Sequence, residues 1–171
     1  MAREPINVRG LKGVLDTLKQ LPPELVSKRG GPVRSALRKG AKIIQQQMQA
    51  NVQAIIDNPN IDGHESKTIG ILKANIVLAV LNPPPGQKGE RIGVRVRRKR
   101  YPRERMGPGK GKSAQGVGAL LEQGTERRQA YPWAAPAYES KKQEAYAVFE
   151  RELPAAIDRI VKKLAKQNGV A

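Results

Sequence analysis

From Val33 to Ile55 the apolar residues Val33, Leu37, Ala41, Ile44, Met48, Val52 and Ile55 recur at intervals of four, four, three, four, four and three. The positions between them are largely Arg, Lys and Gln. That rhythm predicts an amphipathic helix over residues 32–56, opened by Gly30-Gly31-Pro32. Gly40 lies inside it at a cost of about 1 kcal/mol relative to Ala, which is expected to be offset by close approach of a neighbour.

A matching stripe occurs near the end of the chain. Ala145, Phe149, Leu153, Ile157, Ile160 and Leu164 follow at four, four, four, three and four, predicting a helix over residues 137–166. Pro154 interrupts it, because proline lacks the N–H that would bond four residues back. The element should therefore kink or split there, and resumption of the pattern on the same face favours a kink. A shorter helix is predicted over 10–21, where Leu11, Val14, Leu15, Leu18 and Leu21 share a face and Pro22-Pro23 ends the run.

Between the long helices lie two strand signals. Residues 75–81, Asn-Ile-Val-Leu-Ala-Val-Leu, are short, β-rich and bounded by a proline-rich turn. Residues 91–99 alternate, with Ile92, Val94 and Val96 on one face and Arg91, Arg95 and Arg97 on the other. The pair is expected to form a hairpin, so the chain reads as one α+β domain with a small antiparallel sheet. The polar stretch from Asp57 to Lys67 reads as an exposed loop, and His64 within it as a solvated side chain.

Charge is concentrated next to the second strand. The chain has 32 Lys plus Arg against 15 Asp plus Glu, a net +17. Residues 87–112 hold eleven basic residues and two Glu, 11 − 2 = +9. Arg95, Arg97, Arg98, Lys99, Arg100, Arg103 and Arg105 have Glu104 as the single acid among them, so they require an external anion. Glycine and proline interrupt the tract, so residues 97–118 are expected to be a flexible basic arm outside the packed core. DNA phosphates or an acidic protein face would each satisfy it.

The remaining organising stretch is 119–138, Ala-Leu-Leu-Glu-Gln-Gly-Thr-Glu-Arg-Arg-Gln-Ala-Tyr-Pro-Trp-Ala-Ala-Pro-Ala-Tyr. Gly124 can take a positive φ in a turn, the single tryptophan, Trp133, should pack under the following helix, and Pro136 suits a helix start. Glu122, Gly124, Thr125, Pro132, Trp133, Pro136 and Ala137 together resemble the signature of the small tail-completion, or neck, proteins of long-tailed bacteriophages of the HK ninety-seven kind. Residues 10–15 and 68–76 fit the same family, so the resemblance spans nearly the whole chain. It departs at Gln123, where the family has an aromatic, at Ile69, and in the longer middle over 82–118.

The resemblance implies a structural virion protein of the phage neck or tail end. Such a subunit would form a homo-oligomeric ring around the DNA channel, with the connector, tail terminator or tail tube as partners. The residue-level alternative is a basic nucleic-acid-binding protein using residues 87–112 non-specifically. Set against it, only Tyr101 among the aromatics lies within the basic run, ready to stack on a base.

Other chemistries find little footing. Gly111-Lys112-Ser113 imitates a phosphate loop, but Met106 stands where its first glycine belongs. There is no cysteine and one histidine, which removes thiol nucleophiles and leaves no set of ligands for zinc. No catalytic, cofactor or metal site is therefore expected, and the protein is not expected to be an enzyme. The chain opens Met-Ala-Arg-Glu-Pro, and no apolar run approaches the ~20 residues of a spanning helix. A soluble product made in the host cytoplasm, with no membrane partner, is the expectation.

Overall fold

A computed structural model describes residues 31–59, 66–82, 84–86, 89–100, 113–126 and 129–167. Within them the chain forms α1 (Pro32–Asp57), α2 (Ser66–Ala74), β1 (Ile76–Val80), β2 (Ile92–Val96), α3 (Ala114–Gln123) and α4 (Ala134–Gln167). This is the mixed α+β architecture that the two periodicities required. The predicted helix over 10–21, His64, Arg103 and Arg105 lie outside the described residues.

The two long stripes meet. α1 and α4 run antiparallel, with Asn51 beside Trp133 at one end and Gly40 beside Ala145 midway. Towards the other end, Ala36 packs with Leu153 and Ile157, with Val33 and Phe149 against them. A Cβ on Gly40 would lie 2.5 Å from the carbonyl oxygen of Ala145, so glycine there is what lets the helices touch. Lys39 and Arg34 hold the same region from outside, Lys39 by an ion pair to Glu152 on α4. Arg34 makes two hydrogen bonds, 2.8 and 2.9 Å, to Glu90 in the hairpin loop. α4 runs through Pro154 as one element, so the chain does not split there.

The main core lies at the opposite end of α1. Val52, Ile69, Leu72, Ile76, Val117, Leu121 and Trp133 are buried together, with Met48, Val94 and Val96 packed against them. β1 and β2 pair antiparallel, with Ile76 opposite Val96 and Val80 opposite Ile92. Pairing continues one residue past each end, where Arg97 N–H bonds Asn75 O and Leu81 N–H bonds Arg91 O, both at 2.9 Å. One face of the ribbon therefore carries Ile76, Leu78, Val80, Ile92, Val94 and Val96, and the other Val77, Ala79, Gly93 and Arg95. Gln45 donates to Ile76 O at 2.8 Å, tying the first residue of β1 to α1.

Four boundaries differ from the sequence reading by more than one residue. β2 stops at Val96 because Lys99 N–H turns back to Arg97 O at 2.8 Å, a three-residue turn that ends the extended run. Residues 66–74, read in part as loop, form a helix whose buried Ile69 and Leu72 sit on one face. Asn75 ends it, its N–H bonding Leu72 O and its side chain bonding Ile71 O.

The expected flexible arm ends earlier than Gly118. Ser113 caps α3 by accepting the Gly116 N–H at 3.1 Å, and Ala114, Val117 and Gly118 are buried. The last helix starts at Ala134 and not at Ala137, for a reason that lies in Glu122.

Candidate functional site

Two clusters hold the residues singled out by sequence. The first is a helix start built from a distance. An α-helix leaves four N–H groups without intrahelical partners at its N-terminus. At the start of α4 these belong to Trp133, Ala134, Ala135 and position 136. Glu122, on the last turn of α3, accepts from Trp133 N and Ala134 N through one oxygen, both at 2.8 Å, and from Ala135 N through the other at 2.9 Å. Position 136 is proline and has no N–H to satisfy. One carboxylate and one proline thus account for all four positions, and the negative charge lies at the positive end of the helix dipole.

The connection that brings Glu122 there depends on Gly124. Its φ of 72° and ψ of −171° fall in a region that is essentially closed to residues with a Cβ, and its N–H bonds Leu120 O at 2.9 Å. Tyr131 N–H then bonds Leu121 O at 2.8 Å, closing the loop. Thr125 and Pro132 are exposed on it.

Trp133 is 5% exposed and donates its indole N–H to Gly118 O at 3.0 Å. Its ring lies over Gly118, where a Cβ would meet Trp133 Cζ2 at 3.2 Å and Leu72 Cδ1 at 3.0 Å. Trp133 O accepts from Asn51 Nδ2 at 3.0 Å, which joins the motif to α1. Glu122, Gly124, Trp133 and Pro136 therefore act as one unit, and both oxygens of Glu122 are committed to main-chain donors. Gly118 and Asn51 belong to the same unit. Sequence offered no signal for Asn51, and Gly118 sat in what read as a glycine-rich arm.

The second cluster is cationic. Arg95 projects from the sheet face opposite the Ile76–Val96 face, across from Val77. Arg97, Arg98, Lys99 and Arg100 follow on exposed backbone. That backbone is held: Ala114 N–H bonds Lys99 O at 2.8 Å, and Arg100 pairs in an antiparallel bridge with Ser113. Arg98 Nε bonds Gln115 Oε1 at 3.0 Å. Among the described residues, no group of His, Cys, Asp and Glu is placed to hold a metal ion, and no helix is long and apolar enough to cross a membrane.

No family model, curated protein or solved structure matches the chain.

Proposed function

We propose that the protein is a structural, non-catalytic subunit of the neck or tail end of a long-tailed bacteriophage. In this reading it forms a ring that completes the tail and joins it to the head around the DNA channel. The supporting observation is that the residues carrying the family resemblance, Glu122, Gly124, Trp133 and Pro136, cooperate in one rigid helix start linked to both α3 and α1. A rigid joint of this kind suits a subunit whose task is to hold geometry.

Copies would associate head-to-tail, since only heterologous contacts with a closing rotation give a ring. Subunits would contact connector, tail-terminator or tail-tube proteins, and the assembled product would reside in the virion. The test is the mass of the full-length protein in solution together with micrographs of particles assembled without it. Headless tails beside filled, tailless heads are the expected result. Normal virions in its absence would overturn the reading.

A further inference from the structure

Among the described residues the cations differ in how far carboxylates compensate them. On the helices several are compensated: Lys39 pairs with Glu152, Lys141 with Glu144 at 2.7 Å, Lys142 with Glu139, and Arg34 with Glu90, while Arg38, Lys42 and Lys162 are exposed without a carboxylate partner among the described residues. The acids of α4 are largely consumed in this way. From Arg95 onward the pattern changes. Arg95, Arg97, Lys99 and Arg100 are exposed and have no carboxylate within ion-pair reach among the described residues, and Arg98 has only an uncharged amide.

These side chains are also held in place at the backbone. Arg95 is within the hairpin ladder, Arg97 N–H extends that ladder to Asn75, and Lys99 and Arg100 are tied to the start of α3. Along an extended strand, side chains two apart share a face and stand about 6.7 Å apart. Arg95 and Arg97 thus leave held backbone positions two residues apart, followed by three further cations on pinned backbone.

From this we infer that residues 95–100 form a preorganised binding surface for the phosphate backbone of duplex nucleic acid. The inference goes beyond the ring reading and does not depend on it. Two observations favour phosphate over an acidic protein face. Four of the five cations are Arg, whose planar fork matches phosphate oxygens in pairs. Protein interfaces need a buried apolar or aromatic anchor at their centre. Among the described residues the exposed large apolar side chains are Val80, Leu120, Tyr138 and Val161; none falls within residues 95–100, and Val80 is on the face of the ribbon opposite Arg95. Contacts to phosphate carry charge and position without base identity, so binding through them would be indifferent to sequence.

The experiment compares the full-length protein with two doubly substituted variants of equal net charge. One is Arg95→Gln with Arg97→Gln; the other, Lys141→Gln with Lys142→Gln, removes two compensated cations. Binding of short duplexes of unrelated sequence is followed by fluorescence anisotropy across about 50 to 200 mM salt. The expected result is steeply salt-dependent binding, equal for all duplexes. In the arginine variant the slope of log K against log salt should shrink by about 1 per residue, with the melting temperature unchanged. The lysine variant should bind as the parent does.

An unchanged slope in the arginine variant would overturn the inference. So would an equal loss in the lysine variant, which would mean that net charge alone drives binding. Displacement of duplex by polyglutamate of equal charge as efficiently as by unlabelled duplex would overturn it in favour of an acidic protein partner.

Discussion

Glu122 and Trp133 hold each other in two directions: the carboxylate of Glu122 takes the main-chain N–H of Trp133 at 2.8 Å, while the indole of Trp133 reaches back to Gly118 O, one turn before Glu122. Removing the carboxylate strands three donors at once. Glu122→Ala should cost about 2–3 kcal/mol, the scale of hydrogen bonds to a charged group. Glu122→Gln should cost less, since its amide keeps one accepting oxygen. Urea midpoints at equal m-value measure both, and an Ala variant as stable as the parent would remove the cap from the account.

Trp133 buries a large ring and one polar bond, and the two can be separated. Trp133→Ala should cost about 3–5 kcal/mol, whereas Trp133→Phe keeps most of the area and loses the indole hydrogen bond to Gly118 O, at about 0.5–1.5 kcal/mol. Calorimetric unfolding distinguishes them. In the parent, the single tryptophan also makes intrinsic emission a local reporter of this joint.

Two glycines in helices should respond oppositely to alanine. At Gly40 the added Cβ would sit 2.5 Å from Ala145 O, main chain that can yield only if α1 and α4 separate. The cost of overpacking, about 1–3 kcal/mol, should exceed the helix-propensity gain of about 1 kcal/mol. At Gly70 a Cβ meets nothing within 4 Å, so Gly70→Ala should stabilise by up to about 1 kcal/mol. Matching signs for the two variants would contradict the packing described.

The Lys39–Glu152 pair gives the α1–α4 joint a pH dependence. The hydrogen bond from Lys39 holds the Glu152 carboxyl below its ordinary value of 4.5; partial desolvation opposes this, and Lys39, Arg151 and Arg159 add attraction. A lowered folded-state value means that the pair's contribution is complete above about 4.5 and is lost as pH falls through the folded value. Thermal melts from neutral pH down through the carboxylate range should therefore fall less steeply for Glu152→Gln than for the parent. Parallel curves would show that the pair contributes nothing.

The long elements were legible because each repeats one apolar face over many turns, and such stripes have no other way to be covered. α2 and α3 were not. Each is only nine or ten residues long, with Ile69 and Leu72 buried in α2 and four residues buried in α3, and their signals were masked by a β-rich run following Ala74 and by Gly116 and Gly118 within α3. The start of α4 was placed three residues late, since Pro136 invites a first-turn reading at Ala137. The true cap is a glutamate eleven residues before Trp133, which no local capping rule reaches. Residue types and spacing singled out Glu122, Gly124, Trp133 and Pro136 without revealing that they form one device. The cationic run was legible as unpaired charge, but its order was not: half of what read as a loose arm is pinned to β2 and α3.

The cap spans a short stretch of chain and the long-helix joint a very long one. Glu122 and Trp133 are separated by 11 residues, and Lys39 and Glu152 by 113. Closing the larger loop costs about 2 kcal/mol more in chain entropy. The turn from α3 into α4 can therefore organise before α1 is recruited, and substitutions at Glu122 should slow folding while those at Gly40 mainly speed unfolding. A chevron comparison of the two sets reads this directly, and it makes the signature stretch the place where the molecule begins to assemble itself.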